Sequence, residues 1–152
     1  MSHLSSAMIL METARVDVSI STFIMVHGLA MSTINLCGNE AQKEKFLPLM
    51  ARLEKIGCFA LTEPNRGSDA SDLETTAKRV SGGWILNGTK RWIGNGVFAD
   101  VSIVYARSLE DGKQIGFIVE KRMRGFAASK IENKIALRIV QKYISADIFV
   151  TN

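Results

Sequence analysis

The feature that most limits how this chain can fold is a change of hydrophobic period near Lys55. Before it, apolar residues recur at helical spacing: Ile9, Val16, Ile20, Phe23 and Ile24, then Ala30, Met31 and Ile34. Gly28 is placed to interrupt that helix and Gly38 to end it. Asn39 is an N-cap residue for a charged helix from Glu40, which Pro48 ends or restarts before a last turn or two at 49–54. After Lys55 the period shortens, glycine becomes frequent, and strand-like runs at 56–61, 75–80, 84–87, 101–106, 115–119 and 144–150 alternate with turns. Ser81-Gly82-Gly83 reads as a hairpin turn, and Asn87-Gly88 and Asp111-Gly112 as further turns. The expected class is α+β: residues 1–55 as part of a helical domain, then residues 56–152 as a small antiparallel β-barrel or sandwich.

Composition serves mainly to exclude. A net charge of +4 with scattered basic residues gives no dense patch for nucleic acid. A nucleic-acid-binding barrel also needs aromatic platforms on one basic face, and aromatics make up only 7% of the chain. The two cysteines, Cys37 and Cys58, form no CxxC pair, so neither a disulfide framework nor a metal site is expected. Residues 18–37 carry no Asp, Glu, Lys or Arg and are long enough to span a bilayer. Ser19, Ser21, Thr22, His27, Ser32, Thr33 and Asn35 interrupt them, and the flanks lack a Lys/Arg asymmetry. The reading is a buried helix and no membrane span, with His27 a hydrogen-bonded core histidine. No secretory signal is expected at the start.

Two stretches carry candidate chemistry: Cys58 to Asp69, and Asn87 to Gly96. Each reads as a strand running into a turn that displays small hydrogen-bonding groups beside an apolar or aromatic wall. Phe59, Leu61 and Thr62 end a strand, and Gly67-Ser68 makes a turn whose N–H groups can approach an anion. The ordinary alternative is a strand and a Pro-containing loop in which Ser68 and Asp69 cap local backbone. Trp92, followed by Ile93 and Gly94, can lie against a flat ring or serve only as an apolar anchor; Trp84 reads as packing alone.

These motifs, with the helical text Glu40-Ala41-Gln42-Lys43-Glu44-Lys45-Phe46-Leu47-Pro48, closely resemble the acyl-CoA dehydrogenase and oxidase superfamily. The Trp-Ile-Gly-Asn wording is most similar to the short-chain acyl-CoA oxidase of plant peroxisomes. The resemblance implies FAD as cofactor, α,β-dehydrogenation of short acyl-CoA thioesters in fatty-acid β-oxidation, dioxygen as acceptor, a peroxisomal address and a homo-oligomer. It implies that Phe59, Leu61 and Thr62 line the flavin, and that Gly67 and Ser68 meet its pyrophosphate. Ser68 also borders the acyl-thioester channel. Trp92 is then the flavin shield, and Ile93 and Gly94 are backbone positions beside its reactive edge.

Many members carry threonine where this chain has Gly94, and the missing side chain is expected to open room there for dioxygen. The departures from the family pattern are Ala136, where glycine is usual, and Lys142-Tyr143-Ile144-Ser145. The resemblance places the catalytic glutamate in a C-terminal bundle beyond Asn152 and the first helices before Met1, so no catalytic residue is assigned here and Glu63 is not read as a base. The alternative is a truncated, non-catalytic module that binds flavin or a partner subunit weakly.

Overall fold

The structure, a computed structural model, describes residues 3–151, with 142–146 in their backbone only, so the side chains of the divergent Lys142-Tyr143-Ile144-Ser145 stretch lie outside the description. Three helices come first: α1 (His3–Val16), α2 (Val18–Cys37) and α3 (Glu40–Ala51). The helical period expected as one run breaks at Asp17. That residue has extended backbone (φ −154°), and its carboxylate accepts from the Ser19 N–H at 2.6 Å as the N-cap of α2. Gly28 does not interrupt α2. At the start of α3, Asn39 and Gln42 form a reciprocal capping box. Pro48 removes one helical N–H, yet α3 continues to Ala51, with Phe46 and Met50 buried beneath it.

Seven strands follow: β1 (Gly57–Ala60), β2 (Thr76–Val80), β3 (Gly83–Gly94), β4 (Val101–Ser108), β5 (Gln114–Glu120), β6 (Phe126–Ser129) and β7 (Val140–Thr151). They form one sheet in the order β1-β4-β2-β3-β7-β6, with β5 on the other side of β4. The β2–β3 hairpin closes through Ser81-Gly82, as expected. The sheet is mixed rather than antiparallel throughout, because β4 runs parallel to both β1 and β2. Asn87-Gly88 is not a turn. β3 passes straight through it with a register shift against β7, and a Cβ at residue 88 would lie 2.5 Å from Thr75 Oγ1.

Two apolar clusters hold these layers. Cys58, Ala60, Leu86, Ile93, Val104, Val119 and Ile148 pack within the β domain. Ala30, Ile34, Phe46 and Met50 pack from the helices onto Val101 and Ile103 of β4. Helix α2 is long and apolar enough to cross a membrane by length and composition, and here only one face of it is buried. Val26, His27, Ala30 and Ile34 face the sheet, while Ile20, Ile24, Met25 and Leu29 are exposed. The expectation of a buried helix therefore holds for one face alone.

Two polar residues tie α2 to the sheet. The His27 ring accepts at Nδ1 from the Gly57 N–H (3.0 Å), so its Nε2 is the donor to the Met50 carbonyl at 3.1 Å. Asn95, just after β3, donates from Nδ2 to the carbonyls of Phe23 (3.2 Å) and Gly57 (3.1 Å) while its backbone sits at φ +64°. Replacing Asn95 with alanine removes the side-chain donor from the buried Gly57 carbonyl and the second donor from the helical Phe23 carbonyl, and keeps a left-handed backbone without the amide. An Asn95→Ala chain is expected to lose about 2–4 kcal/mol in urea unfolding. A loss below about 1 kcal/mol would show that these bonds do not secure the junction.

Candidate functional site

The two motifs meet edge to edge. The Arg91 N–H donates to the Thr62 carbonyl at 2.9 Å, outside any regular ladder, and the Lys90 ammonium donates to the Leu61 carbonyl at 3.0 Å. Lys90 then completes the seam with an ion pair to Glu63 Oε1 at 2.8 Å, the two side chains being 0% and 1% exposed. The Glu63 carboxylate also accepts the backbone N–H groups of Glu74 (2.6 Å) and Thr75 (2.8 Å). Burial pushes the Glu63 carboxyl up, but Lys90 and these N–H donors outweigh it and hold it below the ordinary carboxylate range. Burial draws the Lys90 ammonium down, against the pull of Glu63.

Trp92 owes its place to a β-bulge. Alternation from Leu86 turns residue 90 inward and would turn residue 92 inward too. Instead the register slips between Arg91 and Ile93, with Trp92 as the extra residue at φ +60°. Ile93 takes the core position, 2% exposed, and the indole is left 49% exposed with the Arg91 guanidinium 4.5 Å from its ring centre. A groove of about 800 Å³ opens beside this seam between Pro64, Glu74, Thr89, Arg91 and Lys130. The apolar cavity of about 280 Å³ lined by Trp84, Tyr105 and Phe117 contains none of the motif residues.

The predicted residues are placed as follows. Leu61, Thr62 and Trp92 come together at the seam, and the Ile93-Gly94 backbone continues past the bulge paired with Gln141 and Val140 of β7. Gly67 and Ser68 lie on an exposed turn; their N–H groups and the Ser68 hydroxyl make no hydrogen bond among the described residues, and a Cβ at Gly67 would meet nothing within 4 Å. Phe59 is set apart. Its ring packs 5.2 Å from Tyr105 on the helix-covered face, because side chains along β1 alternate and residue 59 falls on the α2–α3 side. Gly94 is buried, and a Cβ there would lie 2.7 Å from Val26 Cγ2 of α2. The room expected beside Gly94 is thus already filled by Val26.

An unspent set of donors on the Gly67-Ser68 turn, a half-exposed indole and a Thr62 hydroxyl with no partner among the described residues suit a planar ring that carries phosphate. Sequence reasoning missed Lys90, Arg91 and Val26. Lys90 was recoverable, since alternation from Leu86 points it inward and an inward lysine requires a carboxylate. Among the described residues no group of three His, Cys, Asp or Glu side chains could hold a metal ion.

Residues 58–148 match the profile of the acyl-CoA dehydrogenase middle domain, and residues 1–54 that of the acyl-CoA dehydrogenase N-terminal domain. The chain is 41% identical over 130 residues to an acyl-CoA dehydrogenase of Bacillus subtilis, covering 83% of this chain and 34% of that protein. It is 39% identical over 142 residues to the mitochondrial isovaleryl-CoA dehydrogenase of Pongo abelii, covering 90% and 34%. Among solved structures, glutaryl-CoA dehydrogenase from Mycobacterium smegmatis superposes with a TM-score of 0.94 at 38% identity, over 99% of this chain and 39% of that one. The acyl-CoA dehydrogenase of Bacillus anthracis complexed with FAD does so at 0.88 and 41%, over 97% and 26%. The chain spans about a third of the length of the curated relatives it matches.

Removing one member of the buried pair leaves the other charge uncompensated. Glu63→Gln and Lys90→Met are each expected to cost about 3–5 kcal/mol in denaturant unfolding, and the double variant clearly less than their sum. Because the folded carboxyl titrates below its unfolded value, the contribution of Glu63 is complete above about pH 4.3 and lost as pH falls through the folded value. In the Glu63→Gln chain this acid-limb loss should be smaller; an unchanged acid limb would show that the pair does not stabilise the fold.

Proposed function

Because the chain belongs to the acyl-CoA dehydrogenase family, we propose that it binds FAD along the seam between Thr62 and Trp92 and serves α,β-dehydrogenation of acyl-CoA thioesters. The observation that carries this is the 2.9 Å bond from the Arg91 N–H to the Thr62 carbonyl, which holds the two motifs side by side with a half-exposed indole at their margin. The relative from Bacillus anthracis holds FAD, and a glutaryl-CoA dehydrogenase of Mycobacterium smegmatis holds FADH2, which supports the same cofactor here. FAD, when bound, supplies the acceptor for the hydride that leaves the thioester's β-carbon.

The chain's own residues provide the wall and the anchors. Trp92 covers one face of the ring, and Leu61, Thr62 and the Ile93-Gly94 backbone border it. The Gly67 and Ser68 N–H groups receive phosphate, with Ser68 also bordering the thioester. Glu63 is not available to remove the α-proton, since its carboxylate is committed to Lys90 and two backbone N–H groups.

The relatives named above are dehydrogenases, and acyl-CoA dehydrogenation is the reading adopted. A second reading keeps dioxygen as acceptor, short acyl chains and a peroxisomal address. Gly94 favours it, because no hydroxyl stands at that position to bond the ring. The contact of Val26 with Gly94 removes the argument from added room.

The test is a titration of the purified chain with FAD, followed by butyryl-CoA. Flavin fluorescence is expected to quench on binding, and Trp92→Ala to weaken that binding roughly tenfold. Bleaching of the flavin band by butyryl-CoA marks turnover, and peroxide in air-saturated buffer marks the second reading. Bound flavin that never bleaches identifies a binding module without activity. No quenching at all would refute the flavoprotein reading.

A further inference from the structure

Neighbouring residues on a regular strand point to opposite faces of the sheet, so their side chains cannot stack. Arg91 and Trp92 do stack, with the guanidinium 4.5 Å from the centre of the indole. The bulge makes this possible: with Trp92 as the extra residue at φ +60°, both side chains turn outward between the buried Lys90 and Ile93.

The guanidinium is rooted as well as aimed. The Arg91 main chain is fixed by its N–H bond to Thr62, and its side chain makes no hydrogen bond or ion pair among the described residues. Among the described residues its one ring contact is Trp92. The indole in turn has no aromatic partner among the described residues, although it is 49% exposed. The second tryptophan shows the contrast. Trp84 has Arg79 farther off, at 5.6 Å, but it is also wedged edge-on against Phe117, so its orientation does not depend on the cation.

We propose that Arg91 is a positioning residue for the flavin face, its stacked guanidinium holding the indole of Trp92 ready to cover the ring. The proposal rests on the flavin reading above. An exposed indole without a partner samples several rotamers, and ordering it on binding weakens affinity. A guanidinium held over one face of the indole removes that freedom beforehand, while the indole stays 49% exposed. Lysine cannot replace it fully, because a compact ammonium on a flexible stem lacks the planar surface that stacks.

The experiment separates this role from the flavin reading by measuring the apo chain first. In a Trp84→Phe background Trp92 is the sole indole emitter. Arg91→Gln is expected to lower the steady-state anisotropy of its emission and to change the near-ultraviolet circular dichroism, with Arg91→Lys falling between. The same pair of measurements in the chain that retains Trp84 guards against a folding defect of the background. With FAD added, Arg91→Gln should bind about two- to fivefold more weakly, and Arg91→Lys less so.

Unchanged anisotropy and dichroism in Arg91→Gln would overturn the stack and the proposal with it. A freed indole with unchanged FAD affinity would also overturn the proposal, while leaving the flavin reading intact. Failure of the unsubstituted chain to quench flavin at all would defeat the flavin reading, and the positioning role would fall with it.

Discussion

A lysine and a glutamate with almost no exposure face each other at 2.8 Å between segments separated by 27 residues. Buried charges of this kind are tolerated only when each is fully satisfied. Glu63 meets that demand with Lys90 and the N–H groups of Glu74 and Thr75; Lys90 meets it with Glu63 and the Leu61 carbonyl. No neighbouring register meets it, because shifting β3 by one residue would turn Lys90 to the surface and strand Glu63. The pair thus fixes where the Leu61–Glu63 backbone lies against β3, and every group proposed to meet the flavin hangs from one side of that seam or the other.

How far this was legible from the residues follows from physical range. The change of period at Lys55, the N-cap at Asn39 and the Ser81-Gly82 turn are local, and the structure contains all of them. The break at Asp17 was missed because Val16 and Val18 keep the apolar pattern running while a single carboxylate caps the next helix. Asn87-Gly88 signalled a turn, but the pairing of β3 with β7 overrode that preference and turned it into a bulge. The parallel pairings of β4 could not be read from short alternating runs, since alternation says which face is buried and not which strand lies alongside. At the site, Thr62, Trp92 and the Gly67-Ser68 turn were visible as motifs. Arg91 was hidden, because its stacking exists only once residue 92 has left the strand's alternation.

The helices are part of the same construction. Val26 lies against Gly94, His27 binds the Gly57 N–H, and the Phe23 carbonyl receives the Asn95 amide. Three residues within little more than one turn of α2 therefore bear on the two ends of the seam, the start of β1 and the close of β3. This explains why glycine stands at position 94 more simply than any requirement for access by oxygen. A side chain there would have to displace the Val26 side chain of α2.

Part of the irregular backbone of the β domain lies among the groups proposed to meet the flavin. β3 and the residue after it carry register shifts at 86–88 and 91–93 and left-handed backbone at Trp92 and Asn95, while Asn133, Leu137 and Asp147 are left-handed farther along the chain. Non-glycine residues hold such conformations only where their surroundings over-determine them. Here the surroundings do: the Lys90–Glu63 pair clamps the strand just before the bulge, the Arg91–Thr62 bond clamps the bulge itself, and the Asn95 amide clamps the turn beyond it. Three fixed points around one displaced residue leave the indole outside the sheet before any ligand arrives. The strain at Trp92 is then maintained by folding rather than by binding, and the flat ring proposed to dock there would meet a surface already set.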